Sequence, residues 1–391
     1  MPTPRNPQRS MIEHPNSLTT PRRLLVRAVN WLGDAVMTTP ALIQLRSALP
    51  ETTITLLTHD KLAPLWQRHP ALDDVMVIQR GQGLLTTASR LRARRFDAAL
   101  LLPNSPRTGL EVWLAGVPRR IGGAWPWRDW MLTHVVPHPS KRWLMERRGI
   151  EEIRGRLQST PQGIPARRGT YPAEAHHLHH YLRLAAALGA SCEPLAPSLP
   201  VFPEEVEAVR NRFSIHSETV WIGVNAGAEY GPAKRWPKDR FISTIQALKK
   251  SHQNRLGFLC FGGPADRETA AEIASAAATD NGVIRNLAGQ TTLRELASAL
   301  SCCRVVLTND TGPMHVAAAV DTAVVVPFGS TSPELTGPGF PGDPKHALIL
   351  GESACAPCFL RECPIDFRCQ LQIRVETVVE AIQQRLHLSH R

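Results

Sequence analysis

The sequence lacks the features of several common protein classes. No uninterrupted apolar run approaches the ~18–20 residues that a membrane-spanning helix requires. The first 20 residues contain Pro, Asn and Arg but no apolar segment, so we expect no secretory signal there. Walker A, H-E-x-x-H, G-x-S-x-G and C-x-x-C-H motifs are absent, and no G-x-G-x-x-G follows the first predicted strand. The last absence argues against a nicotinamide-dependent enzyme.

What is present is a globular composition with an uneven charge. The 391 residues are 43% hydrophobic and 20% charged, which excludes a wholly disordered chain and predicts two domains. The formal charge is +11, but residues 1–200 contain 26 Lys and Arg against 14 Asp and Glu, whereas residues 201–391 contain 19 against 20. The first half therefore suits an anionic partner: nucleic acid, a phospholipid surface or a phosphorylated substrate. Heavy arginine use in a high-GC genome is the alternative.

Short apolar runs alternate with helical patterns along the chain, which predicts an α/β fold with parallel sheets. The pattern occurs twice, so we expect two doubly wound halves with a cleft between them. Ligands in such sheets bind at the carboxyl ends of the strands. The predicted organisation is a disordered tail (1–20), a first domain (21–195) with a loop or insertion (137–175), a linker (196–215), a second domain (216–370) and a C-terminal helix (371–391).

The first candidate site follows the first strand, at Asn30–Thr39. Gly33 allows a tight turn, and Asp34 lies where a helix begins. The helix amide groups keep a carboxylate there ionised, so Asp34 is either a helix cap or a general base for a hydroxyl group.

Two later motifs favour an anionic ligand. Residues 226–237 combine small residues, which let the backbone approach a ligand, with the cations Lys234 and Arg235; this suits a diphosphate. Residues 308–315 (Thr-Asn-Asp-Thr-Gly-Pro-Met-His) join a strand to a helix and offer hydroxyl and amide groups to an anion. Each motif alone is also consistent with an ordinary loop or capping motif. Loops 261–266 and 328–333 are weaker signals of the same kind.

Four of the eight cysteines lie within 15 residues, as Cys355-x2-Cys358-x4-Cys363-x5-Cys369. Four thiolates can hold one tetrahedral zinc ion, and an iron–sulfur site fits the same ligand count. The spacing is not that of a standard zinc ribbon, so a loop of reduced cysteines or a disulfide remains an alternative. We expect a structural role for this cluster.

In order and spacing, the Asp34 loop, the 226–237 motif and the 308–315 motif resemble the ADP-heptose:lipopolysaccharide heptosyltransferases, glycosyltransferase family 9, most closely the heptosyltransferase II branch. The resemblance covers roughly residues 22–385. It implies a GT-B architecture of two Rossmann-like domains and an inverting transfer of heptose from ADP-heptose to heptosyl-Kdo-lipid A. It implies no cofactor in catalysis.

The resemblance also assigns roles to residues. Asp34 becomes the proposed base, and Lys234 becomes the contact to the donor diphosphate. The implied donor-binding set is Gly227, Ala228, Lys234, Asp266, Thr291, Asp310, Thr311, Gly312 and His315.

Acceptor binding then falls to the basic first domain. Our candidates for contacts to a phosphorylated, Kdo-bearing lipid are Arg119, Arg120, Lys141 and Arg142. The implied location is the cytoplasm, peripheral at the inner membrane, without a nucleic-acid partner. A family 9 transferase with another acceptor or sugar, a basic nucleic-acid-binding protein and a sugar-nucleotide epimerase are the alternatives.

Overall fold

The computed structural model describes residues 20–139, 145–159, 171–252, 256–278 and 283–387. These residues form two parallel six-stranded sheets covered by helices, which confirms the α/β prediction. The strands are β1 Arg23–Arg27, β2 Thr53–His59, β3 Asp74–Ile78, β4 Ala98–Leu101, β5 Arg119–Gly123, β6 His134–Val136, β7 Val220–Asn225, β8 Leu256–Cys260, β9 Ile284–Asn286, β10 Cys303–Thr308, β11 Ala323–Phe328 and β12 Ala347–Leu350.

The helices occupy the crossovers between strands. They are α1 Leu32–Met37, α2 Thr39–Ala48, α3 Leu84–Arg94, α4 Pro106–Leu114, α5 Ile150–Ser159, α6 Leu178–Ala186, α7 Pro203–Phe213, α8 Lys238–Ser251, α9 Arg267–Ala276, α10 Leu293–Ser301, α11 Gly312–Ala319, α12 Pro333–Thr336, α13 Arg368–Leu371 and α14 Val375–Leu386.

Both sheets have the same winding. The first runs β3-β2-β1-β4-β5-β6, and the second, read from its other edge, runs β9-β8-β7-β10-β11-β12. This is the Rossmann strand order repeated, so each sheet has a topological switch point beside its first strand, where ligands bind. The central strands are apolar on both faces because helices cover both: Leu24, Leu25 and Val26 of β1 are fully buried.

Three helical predictions need correction. Apolar residues at helical spacing over 35–49 predict one helix, but the structure has two helices that meet at Thr38, because Pro40 has no amide proton to continue the first. The 196–215 linker contains α7, which begins at Pro203 and buries Val209. Both of these segments contain prolines, which are typical of loops. A proline is equally well tolerated at the start of a helix, so the prolines do not distinguish the two structures.

The predicted loop 137–175 contains a further helix, α5. Only Ile153 on α5 is buried, so the apolar periodicity that would reveal the helix is missing. Ion pairs along its exposed face, such as Arg154 with Glu151 at 2.9 Å and Arg156 with Glu152 at 2.9 Å, support the helix locally.

The two domains share one continuous hydrophobic core. A single cluster of buried side chains extends from Leu24 of the first sheet through Met314 of α11 to Val326 of the second sheet. The carboxyl ends of both central strands therefore open onto a common cleft. Across the described ranges, no helix combines the length and apolar character needed to cross a membrane.

Candidate active site

Asp34 lies at the cleft, in the first turn of α1 and just beyond the carboxyl end of β1. Its side chain is partly buried, with 28% of its surface exposed. Burial raises the pKa of Asp34 above its ordinary value, while the nearby charges of His177 and Lys234 lower it. A carboxylate with a raised pKa is a stronger base than an exposed one, which suits the predicted general-base role.

Lys234 faces the same cleft from the second domain. Its Nζ lies 2.7 Å from Oδ2 of Asp310, and this pair is largely buried, with 16% and 4% of the two side chains exposed. The hydroxyl group of Thr331 donates to the same Asp310 oxygen at 2.6 Å. The structure thus brings together Lys234 and Asp310, which the sequence analysis took from separate motifs.

The loop that carries Lys234 is held in place by an asparagine of the third motif. Asn309 Nδ2 donates to the carbonyl of Ala226 at 2.7 Å, and Asn309 Oδ1 accepts from the amide of Trp236 at 3.0 Å. Both ends of the loop are therefore fixed to the strand end that also positions Asp310. Ala228 is buried within the loop.

Helix α1 and helix α11 begin face to face across the cleft. A Cβ atom at Gly33 would lie 2.7 Å from Cδ2 of His315, and one at Gly312 would lie 2.8 Å from Cδ2 of Leu32. The two glycines therefore allow the helix starts to approach closely. Burial lowers the pKa of His315 to about 4, so this side chain is neutral at physiological pH.

His177, just before α6, is a site residue that the sequence analysis missed. Its Nδ1 lies 3.6 Å from Oδ1 of Asp34, and its ring stacks on Tyr181 with centroids 5.1 Å apart. Its amide donates to the carbonyl of Leu335 at 2.9 Å, which ties α6 to the second domain. The sequence feature that marks this site is the histidine-rich stretch 176–180, whose pattern by itself predicts only part of a helix.

Two further donor candidates lie away from Lys234. Asp266 accepts from the amide of Gly263 at 2.9 Å at the start of α9, and its carboxylate packs where a Cβ of Gly227 would otherwise lie. Thr291 precedes α10, in the loop after the edge strand β9, two strands from β7. Their donor-binding roles stay predictions.

The basic acceptor candidates are not at the cleft. Arg119 and Arg120 begin β5, opposite Ala98 and Ala99 at the start of β4, so they lie at the amino edge of the sheet. The Arg120 guanidinium also donates to the carbonyls of Met131 at 2.6 Å and Val117 at 2.5 Å, which makes it part of the scaffold. The sequence order gave no indication of which sheet edge they occupy. Lys141 and Arg142 lie outside the described residues.

The four clustered cysteines line one pocket together, but in the described part of the chain no three Cys, His, Asp or Glu side chains are already arranged as metal ligands. All eight cysteines are free thiols.

The two facing Rossmann-like domains, with a carboxylate on one and a cation on the other, have the GT-B architecture. Residues 155–367 match the sequence profile described as glycosyltransferase family 9 (heptosyltransferase). The chain belongs to this family.

Several relatives share most of the chain. It is 31% identical over 327 residues to lipopolysaccharide heptosyltransferase 2 of Escherichia coli (strain K12), covering 81% of this chain and 85% of that protein. It is 27% identical to lipooligosaccharide heptosyltransferase 2 of Haemophilus ducreyi, over 84% and 88% of the two chains. The solved structure of E. coli ADP-heptose lps heptosyltransferase II superposes with a TM-score of 0.72 at 27% identity, covering 93% and 98% of the chains.

The close helix contact leads to a first prediction. Substituting Gly33→Ala places a methyl group 2.7 Å from the buried His315 ring, so α1 and Asp34 must move away from the second domain. A displacement of this kind should lower sugar-transfer activity by about 10- to 100-fold. The matched control is Gly155→Ala on α5, where nothing lies within 4 Å of a new Cβ. Steady-state kinetics of both variants check the contact, and native-like turnover of Gly33→Ala would contradict it.

Proposed function

We propose that this protein transfers L-glycero-D-manno-heptose from ADP-heptose to heptosyl-Kdo-lipid A, with inversion at the anomeric carbon. The observation that carries the proposal is the geometry of the cleft, where Asp34 of the first domain faces the Lys234–Asp310 pair of the second. Supporting it, the most similar relatives reported above are named heptosyltransferase 2.

The second domain binds the donor. The diphosphate lies against the Lys234 loop and the amino end of α11, where backbone amides at Thr311 and Gly312 face an anion. Lys234 is already held by Asp310, so it is oriented before the donor arrives. As the bond between the anomeric carbon and the diphosphate oxygen breaks, Lys234 stabilises the charge on the departing ADP.

The first domain activates the acceptor. Asp34 removes the proton from the acceptor hydroxyl while that oxygen attacks the anomeric carbon from the face opposite ADP. His177 Nδ1 lies 3.6 Å from Oδ1 of Asp34, and the His177 amide ties this segment to the carbonyl of Leu335 in the second domain. This chemistry uses only residues of the chain.

We also propose that the protein acts in the cytoplasm, at the inner membrane surface, where a lipid acceptor would lie. In support, Trp127 and Trp130 of the first domain expose 77% and 62% of their surface. Both lie in the segment that joins β5 to β6, where Trp127 comes a few residues after the carboxyl end of β5 and Trp130 packs on Trp113 in the last turn of α4. Exposed tryptophans next to a positively charged domain suit the headgroup region of an anionic bilayer.

This location can be tested with vesicles. Replacing Trp127 and Trp130 with Ser should lower binding to anionic phospholipid vesicles by about 30-fold, because two buried aromatic rings at about 1 kcal/mol each contribute about 2 kcal/mol. Val283→Ser, which changes an exposed apolar residue of the second domain, should leave vesicle binding unchanged. Co-sedimentation measures both. Equal binding of the double variant and the unchanged protein would refute a tryptophan-mediated contact.

The transfer itself is tested in cells by mass spectrometry of lipopolysaccharide from a deletion strain. We expect a core that ends after the first heptose and is restored by the intact gene but not by the Asp34→Asn variant. A full-length core in the deletion strain would exclude the proposed step.

A further inference from the structure

The residues that carry out the proposed sugar transfer do not explain the organisation of the four-cysteine loop. Cys355, Cys358, Cys363 and Cys369 line one pocket, which Ile153 of α5 and Ile365 close with apolar groups. The segment 351–367 contains no helix or strand, yet three of the four thiols are buried. Buried irregular backbone needs a specific source of order, and a bound metal ion is a common one.

Polar groups of the chain lie close to three of the four sulfur atoms. The amide of Phe367 donates to Sγ of Cys363 at 3.2 Å, and the sulfur of Cys358 is hydrogen-bonded to the backbone of Leu360. The hydroxyl of Ser353 lies 3.1 Å from Sγ of Cys355. Hydrogen bonds of this kind form the outer shell of metal-bound cysteines.

The turns that produce these contacts are unusual. Phe359, directly after Cys358, and Phe367, two residues before Cys369, have φ angles of 56° and 55°. A bulky residue rarely adopts this left-handed conformation, and it is found where the surrounding structure or a function requires it. At Phe367 the turn directs the backbone amide to Sγ of Cys363, and at Phe359 it directs the amide to the carbonyl of Ser330.

Two arginines lie next to the cysteine cluster. Arg148, on the segment before α5, donates from its guanidinium to the carbonyl of Cys355 at 3.0 Å and from its amide to the carbonyl of Cys358 at 3.1 Å. Arg368 lines the same pocket beside Cys369. Four thiolates around a divalent ion carry a net charge of about −2. The two guanidinium groups offset part of it, since Arg148 also pairs with Glu152 at 3.5 Å and Arg368 with Asp366 at 2.8 Å.

We propose that Cys355, Cys358, Cys363 and Cys369 bind one thiophilic metal ion, Zn²⁺ or Fe²⁺, and that this ion braces the loop that carries Lys234. Each thiol that becomes a ligand loses its proton to solvent, and the metal takes the four sulfurs in a tetrahedral arrangement. Closing that shell requires the thiol side chains to rotate toward the centre of the pocket they already line.

The connection to Lys234 consists of hydrogen bonds to the residues after Cys358. The hydroxyl of Tyr230 donates to the carbonyl of Phe359 at 3.0 Å, and the amide of Ala233, next to Lys234, donates to the carbonyl of Arg361 at 3.0 Å. Arg361 Nε donates in turn to the carbonyl of Tyr230 at 2.7 Å. The cysteine loop is therefore the support on which the donor loop rests.

A second connection leads to Asp310. The amides of Cys358 and Phe359 donate to the carbonyl of Ser330 at 3.0 Å and 2.8 Å. Ser330 precedes Thr331, whose hydroxyl fixes Asp310. A metal at the cysteines would thus hold both partners of the Lys234–Asp310 pair from one point.

The direct test is the metal content of the full-length protein purified under reducing conditions, measured by inductively coupled plasma mass spectrometry. We expect about one equivalent of zinc or iron per chain, and the element found distinguishes the two ions. Cys358→Ser should remove most of it, whereas Cys192→Ser, which changes an exposed cysteine outside the cluster, should retain it. Because no substrate is present, the result does not depend on the proposed donor.

Binding of ADP to the same samples tests the bracing role. Metal-depleted protein should bind ADP about two- to tenfold more weakly, since a loop that is no longer pre-ordered must be ordered on binding. Re-addition of the metal should restore the affinity. Three results together would overturn the metal site. The unchanged protein would contain no zinc or iron, and it would take up neither metal when it is supplied. Its four thiols would all label with iodoacetamide, or they would form disulfides among themselves. Unchanged ADP affinity after metal removal would overturn the bracing.

Discussion

Replacing Asp34 with Asn should lower the turnover of sugar transfer by about 10²- to 10⁴-fold, the usual contribution of a general base. Asn keeps the shape of the side chain and its place at the start of α1 but cannot take a proton. The binding of ADP should change little, because the donor contacts lie on the second domain. Steady-state kinetics and calorimetric titration with ADP separate these two effects.

The pH dependence of the unchanged enzyme gives an independent signature. Burial raises the pKa of Asp34, so the active, ionised form appears only at a pH above the ordinary range of an aspartate. The kcat/KM value should therefore rise with pH through this raised pKa, and the rise should be missing from the residual activity of Asp34→Asn.

The stability of the folded protein should change with pH in the opposite sense to its activity. A carboxyl group with a raised pKa favours the folded state when it is protonated, and this contribution is lost as pH rises through that pKa. At neutral pH, Asp34→Asn should therefore have the same melting temperature as the unchanged protein or a higher one. Asp239→Asn, an exposed acid in the first turn of α8, is the matched control and should alter neither activity nor its pH profile. Full activity of Asp34→Asn would remove Asp34 from the base role.

The second large effect is expected for Lys234→Met. Losing one preorganised positive group that faces the departing ADP should lower kcat by about 10²- to 10³-fold and weaken ADP binding. The substitution also leaves the nearly buried Asp310 without its partner, which should destabilise the fold by about 3–5 kcal/mol. Kinetics and denaturant unfolding measure the two losses.

A double variant separates catalysis from stability. Lys234→Met combined with Asp310→Asn removes the unpaired charge, so much of the lost stability should return while transfer stays slow. Lys238→Met, which breaks an exposed ion pair with Glu272, should change neither property. Recovery of activity in the double variant would mean that Lys234 serves only to neutralise Asp310.

The sequence predicts the sheets well because their central strands are fully buried. Leu24–Val26 and Val305–Leu307 are continuous apolar runs of a length that suits only a strand in this context. The C-terminal helix predicted for 371–391 is found as α14, Val375–Leu386, because that stretch has a regular apolar face that includes Val378 and Ile382. Helix α5 could not be found in this way, because only one of its side chains is buried.

For the site, strand-end motifs could be predicted and tertiary neighbours could not. Asp34 and Lys234 were found because their loops follow buried strands and carry distinctive glycines and charges. The approach of His177 to Asp34 depends on how α6 packs against α2, the helix that follows α1, which no local pattern encodes. The same limit applies to Arg119 and Arg120, the candidates for acceptor contacts: strand direction places them at the amino edge of the sheet, away from the cleft.

The most direct measurement is the reaction of the purified protein with ADP-heptose and heptosyl-Kdo-lipid A, followed by mass spectrometry of the lipid and quantification of ADP. We expect the acceptor to gain one heptosyl residue for each ADP released, in an inverted linkage, and the Asp34→Asn protein to form product at least 100-fold more slowly. Release of ADP without transfer to the lipid, or equal product formation by the two proteins, would contradict heptosyl transfer with Asp34 as its base.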